Sequence, residues 1–153
     1  MSRAENLRDI IEPKGLSYCA KIIATRIKED RVVLDINSIA ITGISGTIIG
    51  GVVSYLTKLP LIIVRKEENS HSIHKIEFSD DIEELNYCIV DDSIGSGSTI
   101  RNIVNKISEN AMISSLKKIY LYHDVAEYNK GFDINDDDKD ENLIPVFAFY
   151  NLR

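Results

Sequence analysis

Cysteine is scarce in this chain of 153 residues, which contains only Cys19 and Cys88. The two are far apart and lack metal-ligand spacing, so they indicate neither a zinc site nor a secreted disulfide framework. Positive charge is also limited, because 18 lysines and arginines are outnumbered by 24 acidic residues. The resulting net charge of −6 and pI of about 5.1 give no electrostatic support for nucleic-acid binding.

Long uninterrupted apolar segments are missing as well. The stretch from Ile39 to Leu56 is broken by Thr, Ser and four Gly residues, so it does not predict a membrane span. Segment 1–15 has no apolar core of the kind found in a signal peptide. We therefore expect one cytoplasmic domain over residues 1–153 that binds neither nucleic acid nor membrane.

Helical and strand-like patterns alternate along the chain. Apolar residues recur at helical spacing over 15–27 and 99–108, and a small-residue helix is predicted over 47–57. Strands are predicted over 36–42, 61–64, 87–90, 118–122 and 144–150. This alternation predicts a three-layer, doubly wound α/β fold with a mainly parallel sheet of about five strands. Ligands bind such sheets beyond the carboxyl ends of the strands.

Residues 88–99, which read CIVDDSIGSGST, are the most informative stretch of the chain. Asp91 and Asp92 follow an apolar strand and precede a Gly/Ser loop that leads into a helix. Backbone N–H groups in such a loop form an anion-binding concavity, and the positive end of the helix adds to its field. The paired carboxylates suit sugar hydroxyls or a hydrated divalent metal. A helix N-cap alone would need fewer of these residues, so the pattern predicts a sugar-phosphate site.

This stretch resembles the 5-phosphoribosyl-1-pyrophosphate (PRPP) signature of the type I phosphoribosyltransferases. That signature has four mostly apolar residues, two acids, a spacer, and then Thr/Ser-Gly-Gly/Ser-Thr, matched here by residues 87–99. The resemblance implies that Asp91 and Asp92 are catalytic residues that bind the ribose hydroxyls and Mg²⁺, the metal mostly through water and PRPP. It also implies a 5-phosphate site formed by Gly95, Ser96, Gly97, Ser98 and Thr99.

Two further segments extend the resemblance to the pyrophosphate side. A second small-residue loop is similar to the pyrophosphate loop of the family and consists of Thr42, Gly43, Ile44, Ser45 and Gly46. Segment 59–66, LPLIIVRK, is similar to the strand and Arg-Lys pair of orotate and related phosphoribosyltransferases. The resemblance implies that Arg65 binds pyrophosphate and that Lys66 and His71 are catalytic. A solvated loop is the alternative interpretation of these three residues.

The chain departs from the orotate enzymes at two positions. Asn69 stands where they carry a second loop Lys, and Val125 stands where an Arg reads the orotate carboxylate. A buried carboxylate without a cation is costly, so orotate is not the expected substrate. Asp124 and Val125 are the candidate base site, with an ordinary strand-end loop as the alternative. The smaller hood that captures the base in this family is expected to be reduced or absent.

The resemblance implies a homodimeric phosphoribosyltransferase that uses PRPP, Mg²⁺ and a nucleobase-type acceptor. Ribose 5-phosphate would pass to the base with release of pyrophosphate. A regulatory protein of the same fold, which binds PRPP or a nucleotide without transfer, is the alternative that Asn69 and the small hood favour. A structural α/β domain without a ligand is a third interpretation.

Overall fold

A six-stranded sheet lies at the centre of the fold in the computed structural model, which describes residues 4–66, 75–79, 83–123, 131–137 and 142–149. The elements in chain order are α1 (Ala4–Ile11), α2 (Pro13–Leu34), β1 (Ser38–Ile41), α3 (Gly43–Thr57), β2 (Leu61–Val64), β3 (Ile76–Glu77), β4 (Glu84–Asp91), α4 (Ser98–Asn110), β5 (Ile113–Leu121) and β6 (Val146–Ala148).

The strand order is β3-β2-β1-β4-β5-β6. All neighbouring strands pair in parallel except β3, which runs antiparallel to β2 at one edge. The predicted α/β fold with a mainly parallel sheet is therefore confirmed, and the sheet has six strands where about five were predicted. The additional strand is β3. It has two residues and lies in a polar segment that lacks a clear period.

Helices cover both faces of the sheet. Ile39 and Ile41 of β1 point into one apolar cluster with residues of α2 and α3. Ala40 points the other way, into a second cluster with residues of α4. Because both faces are covered, β2, most of β1 and the centre of β4 are continuous apolar runs. The carboxyl ends of β1 and β4 consequently lie side by side at one edge, with a helix leading away from each.

Several predicted boundaries change in the structure. The helix predicted over 15–27 begins with Pro13 at its first turn and continues to Leu34, where Asp35 adopts the left-handed conformation. The final strand is shorter than predicted and covers Val146–Ala148. The short helix α1 was not predicted. In the ranges given above, none of the helices is long and apolar enough to cross a membrane.

The prediction of a loop at residues 43–46 is wrong, because these residues form the first turn of α3. Thr42 is the extended N-cap residue, and its hydroxyl donates to the carbonyl of Val64 at 2.7 Å instead of capping the helix. Gly43, at a φ of +69°, makes the turn from strand to helix within one residue. Glycine is a poor helix former, which is why its frequency here favoured a loop.

Candidate functional site

A cleft of about 430 Å³ opens at the carboxyl ends of β1 and β4. It is lined by Leu7, Thr42, Gly43, Ile44, Ser45, Lys66, Asp91, Asp92, Ser93 and Thr99. Three segments that the sequence analysis singled out separately therefore meet in one place. They are the acidic pair with its loop, the first turn of α3, and the residue that follows β2 by two positions.

Asp91 is a buried acid of the cleft whose pKa is raised. It ends β4 and is 7% exposed. Its Oδ1 accepts hydrogen bonds from the Ser45 hydroxyl at 3.3 Å and from the backbone N–H of Asp92 at 2.8 Å. Burial and the neighbouring charge of Asp92 raise the pKa of Asp91 to about 7, despite these two bonds. A cation or a hydroxyl donor entering the cleft would favour the charged carboxylate.

Asp92 is held by contacts on both sides. Its Oδ1 accepts a hydrogen bond from the Ser93 N–H at 2.7 Å, and its carbonyl accepts one from the N–H of His123 at 2.8 Å. The carbonyl of Asp91 likewise accepts from the N–H of Tyr122 at 3.2 Å. The end of β5 thus fixes the backbone that carries both carboxylates.

The Gly/Ser loop joins β4 to the N-terminus of α4. Ile94 and Gly97 are buried, while Gly95, Ser96 and Ser98 are exposed. The Ser96 hydroxyl donates to the Ser98 hydroxyl at 3.0 Å and accepts from the Ser98 N–H at 3.3 Å. A 13-residue helix that starts at Ser98 directs its positive end toward this loop. The loop is therefore suited to a phosphate group.

Arg101 supports the Gly/Ser loop through a hydrogen bond to its backbone. The sequence analysis did not identify this residue. Its guanidinium donates to the carbonyls of Ser96 at 3.1 Å, Asp133 at 2.8 Å and Ile134 at 3.1 Å. It also stacks 5.0 Å above the ring of Phe132. One side chain thereby connects the loop to segment 131–137. The only sequence signal is an arginine in the first turn of α4, where the helix dipole does not favour a cation.

Lys66 and Arg65 are adjacent in sequence but differ in placement. Lys66 lines the cleft, and its Nζ lies 3.5 Å from the point that a Cβ on Gly43 would occupy. The guanidinium of Arg65 instead donates to Glu77 of β3, at 3.0 Å from Nε and 2.6 Å from Nη2. Lys66 is thus placed beside the first turn of α3, whereas Arg65 connects β2 to β3.

The first turn of α3 packs tightly against the end of β4. A Cβ on Gly46 would lie 3.4 Å from the carbonyl of Val90 and 3.6 Å from Oδ1 of Asp91. Gly43 and Ser45 line the cleft, and the side chain of Ile44 is 70% exposed at its mouth. An anion bound here would contact the N–H groups at the N-terminus of a helix. The predicted loop would instead have offered irregular backbone.

Helix α1 forms an apolar part of the cleft wall through Leu7. Oδ2 of Asp9, on the same helix, lies 3.0 Å from Nδ1 of His123 at the end of β5. Sequence reasoning missed both contacts. The predicted catalytic residue His71 and the predicted base-site residues Asp124 and Val125 fall outside the described ranges, so their roles stay predictions.

The carboxylates fit a hard cation that retains much of its water. Asp91 and Asp92 supply oxygen ligands of the kind Mg²⁺ prefers, and Ser45 adds a hydroxyl oxygen. In the part of the chain that the structure describes, no group of three or more His, Cys, Asp or Glu side chains could hold a metal ion.

Comparisons with known proteins agree with the fold. No family model matches the chain. An orotate phosphoribosyltransferase of Methanosarcina mazei is 28% identical over 142 residues, which are 92% of this chain and 71% of that protein. The structure of UMP synthase of Leishmania donovani is 19% identical with a TM-score of 0.62, and the match covers 76% of this chain and 24% of that one. Adenine phosphoribosyltransferase of Saccharomyces cerevisiae is 17% identical with a TM-score of 0.66, covering 93% and 82%.

Proposed function

We propose that this chain transfers ribose 5-phosphate from PRPP to a nitrogenous base, with release of pyrophosphate. The proposal is supported by the likeness of its fold to solved phosphoribosyltransferases and by the resemblance of residues 87–99 to the PRPP signature. One observation carries the proposal. The acidic pair Asp91-Asp92 lies between two helix N-termini, α4 on one side and α3 with Lys66 on the other. A sugar with a phosphate at one end and a pyrophosphate at the other is the ligand that this order of groups would recognise.

The parts of PRPP are assigned as the resemblance to the family signature implies. The backbone of Gly95–Thr99 binds the 5-phosphate at the N-terminus of α4. Asp91 and Asp92 accept hydrogen bonds from the two ribose hydroxyls. The first turn of α3 and Lys66 bind the pyrophosphate, where the charge of Lys66 and the helix dipole oppose its negative charge. Mg²⁺, when bound near the two carboxylates, supplies charge neutralisation on PRPP.

The chemical step needs little covalent participation by the protein. The bond between the anomeric carbon and the pyrophosphate oxygen breaks, and its electron pair leaves on pyrophosphate. The lone pair of the base nitrogen forms the new bond to that carbon, and the proton that this nitrogen loses passes to solvent. The positive charge that develops on the ribose lies near Asp91 and Asp92, and the negative charge of the leaving group lies near Lys66. Positioning and electrostatic stabilisation therefore provide the rate enhancement.

The acceptor is proposed to bind between α1 and the end of β5. Leu7 offers an apolar surface there, and Asp124 and Val125 are the predicted base-site residues. Val125 supplies no cation for a carboxylate, so an acceptor without a carboxylate is favoured. Homodimerisation, a cytoplasmic location and the dependence on Mg²⁺ belong to this proposal.

Calorimetric titration with PRPP and Mg²⁺, followed by pyrophosphate-release assays with a panel of bases, tests the proposal. Wild-type protein should bind PRPP and release pyrophosphate with at least one base. The double variant Asp91→Asn with Asp92→Asn should fold and bind PRPP at least about tenfold more weakly. Asp30→Asn, which alters an acid on α2, is the control. Unchanged affinity in the double variant would place the site elsewhere.

A regulatory function is the second candidate, favoured by Asn69 in place of the loop Lys. It predicts PRPP binding of similar strength but no pyrophosphate release with any base. The same two assays separate it from the transferase, since only the second assay differs. Absence of PRPP binding would argue against both candidates.

A further inference from the structure

Lys106 is a buried lysine on the apolar face of α4. It is 6% exposed and lies on the same helix face as the buried Ile103 and Ile107. Lysine is almost never buried to this extent without a polar partner, because removing an ammonium group from water is costly. A polar partner of Lys106 should therefore indicate the function of this lysine.

The ammonium of Lys106 donates to the backbone carbonyl of Arg65 at 2.8 Å. Arg65 directly precedes Lys66, the cation that lines the cleft. The bond crosses from α4, beneath the sheet, to the carboxyl end of β2. It therefore acts on the backbone from which the Lys66 side chain departs.

Arg65 is bonded through its backbone and its side chain. Its N–H donates to the carbonyl of Lys75 at 2.8 Å, and its guanidinium donates to Glu77. The neighbouring carbonyl of Val64 accepts the hydroxyl of Thr42. The chain is thus held firmly up to Arg65, and the Lys106 contact is made by the last carbonyl before Lys66. The direction in which Lys66 leaves the sheet depends on that carbonyl.

We propose that Lys106 is a positioning residue for Lys66. By holding the Arg65 carbonyl, it keeps the Lys66 ammonium beside Gly43 and the first turn of α3, where the pyrophosphate of PRPP is proposed to bind. This inference rests on the proposed function for the identity of the ligand. It adds a residue outside the cleft that sets pyrophosphate affinity without touching the ligand.

A double-mutant cycle on the full chain separates positioning from general stability. Calorimetry with PRPP and Mg²⁺ is applied to wild type, Lys66→Ala, Lys106→Met and the double variant. Each single substitution should weaken PRPP binding by about five- to twentyfold, and the double variant should be within about twofold of Lys66→Ala. Affinity for ribose 5-phosphate, which lacks the pyrophosphate, should stay within about twofold throughout.

Lys118 is the matched control, since it is 8% exposed and its ammonium is bonded to Asp30 at 2.7 Å, away from the cleft. Lys118→Met should lower the melting temperature yet leave PRPP affinity within about twofold of wild type. If Lys106→Met does not fold, Lys106→Leu, which likewise cannot donate to the Arg65 carbonyl, replaces it in the same cycle with the same criterion.

The outcomes distinguish this inference from the proposed function. Additive losses in the double variant, or an equal loss of ribose 5-phosphate affinity, would overturn the positioning role. If wild type does not bind PRPP, the proposed function fails, and the cycle measured with inorganic pyrophosphate still decides whether Lys106 acts through Lys66. Binding of neither ligand would overturn both.

Discussion

The hydroxyl of Ser45 donates to Oδ1 of Asp91 at 3.3 Å, so the first turn of α3 is bonded to the carboxyl end of β4 inside the cleft. Ser45 lies on α3 and Asp91 on β4, and strands β2 and β3 stand between these two elements in the chain. Their contact joins the proposed pyrophosphate side to the proposed ribose side. It also favours the charged form of a carboxyl group that burial would otherwise keep neutral.

Replacing Ser45 with Ala should raise the pKa of Asp91 further, because the lost hydrogen bond stabilised the carboxylate. The measurement is a carbon-13 NMR titration of the Asp91 carboxyl group. Ser54→Ala is the control, since the Ser54 hydroxyl donates to the Leu59 carbonyl at the opposite end of α3. A Ser45→Ala titration that coincides with wild type or moves to lower pH would contradict the assignment.

Replacing Asp91 with Asn should change how stability depends on pH. The pKa of Asp91 is raised to about 7 in the folded state, chiefly by burial, so ionisation favours the unfolded chain. The contribution of Asp91 to stability is complete below the unfolded pKa of about 4 and is lost as pH rises toward 7. Asp91→Asn should therefore gain roughly 2–4 kcal/mol relative to wild type between pH 4 and 8.

Urea denaturation at closely spaced pH values checks this expectation. Asp92→Asn removes the neighbouring charge that helps to raise the pKa of Asp91, so it should shrink the pH dependence without abolishing it. A stability difference between Asp91→Asn and wild type that stays constant over this range would show that the Asp91 pKa is not raised.

Two adjacent glycines of α3 should respond in opposite ways to the same substitution. A Cβ on Gly50 would overlap the side chain of Ile41, whereas a Cβ on Gly51 would have nothing within 4 Å. Gly50→Ala should destabilise the protein by about 1–3 kcal/mol through overpacking. Gly51→Ala should stabilise it by roughly 0.5–1 kcal/mol, because alanine is the better helix former. Thermal denaturation of both variants is the test, and equal effects would refute the close packing of α3 on β1.

Removing the guanidinium of Arg101 should loosen the proposed phosphate loop. Arg101→Met loses three hydrogen bonds to backbone carbonyls, among them that of Ser96. Affinity for ribose 5-phosphate should fall by about tenfold, with a smaller loss of affinity for inorganic pyrophosphate. Arg31→Met, which removes a guanidinium bonded to the Thr57 carbonyl, is the control. Equal losses for the two ligands would mean that Arg101 acts on the whole domain.

The fold was largely predictable because, in most elements, the spacing of apolar residues in the sequence matches the side chains that are buried. Tyr87–Val90 is a continuous apolar run and lies in the buried centre of β4. The first turn of α3 was not predictable, since Gly43 and Gly46 disfavour helix intrinsically. Gly43 is explained by its φ of +69°, and Gly46 by the close approach of α3 to β4. Strand β3 was not predictable either, since it forms by backbone pairing with the distant strand β2, which the exposed Arg65–Glu77 ion pair accompanies.

The candidate site was predictable where one short segment carries several chemical features at once. For that reason, the sequence could predict that Asp91, Asp92 and the following loop belong to one candidate site. Contacts made by single residues from distant elements could not be identified. Leu7 approaches the cleft through the packing of α1, and Lys106 reaches Arg65 from the far side of the sheet. A lysine on the apolar face of a helix was the one available signal.

The outermost strands of the sheet, β3 and β6, have two and three residues. A long exposed edge presents a row of unpaired backbone groups that can template aggregation, and very short edge strands limit that row. Association of two copies by continuing the sheet would gain few hydrogen bonds at either edge. Among the described residues, the edges of the sheet are therefore poorly suited to continued β-pairing between copies, and a homodimer is expected to use other surfaces.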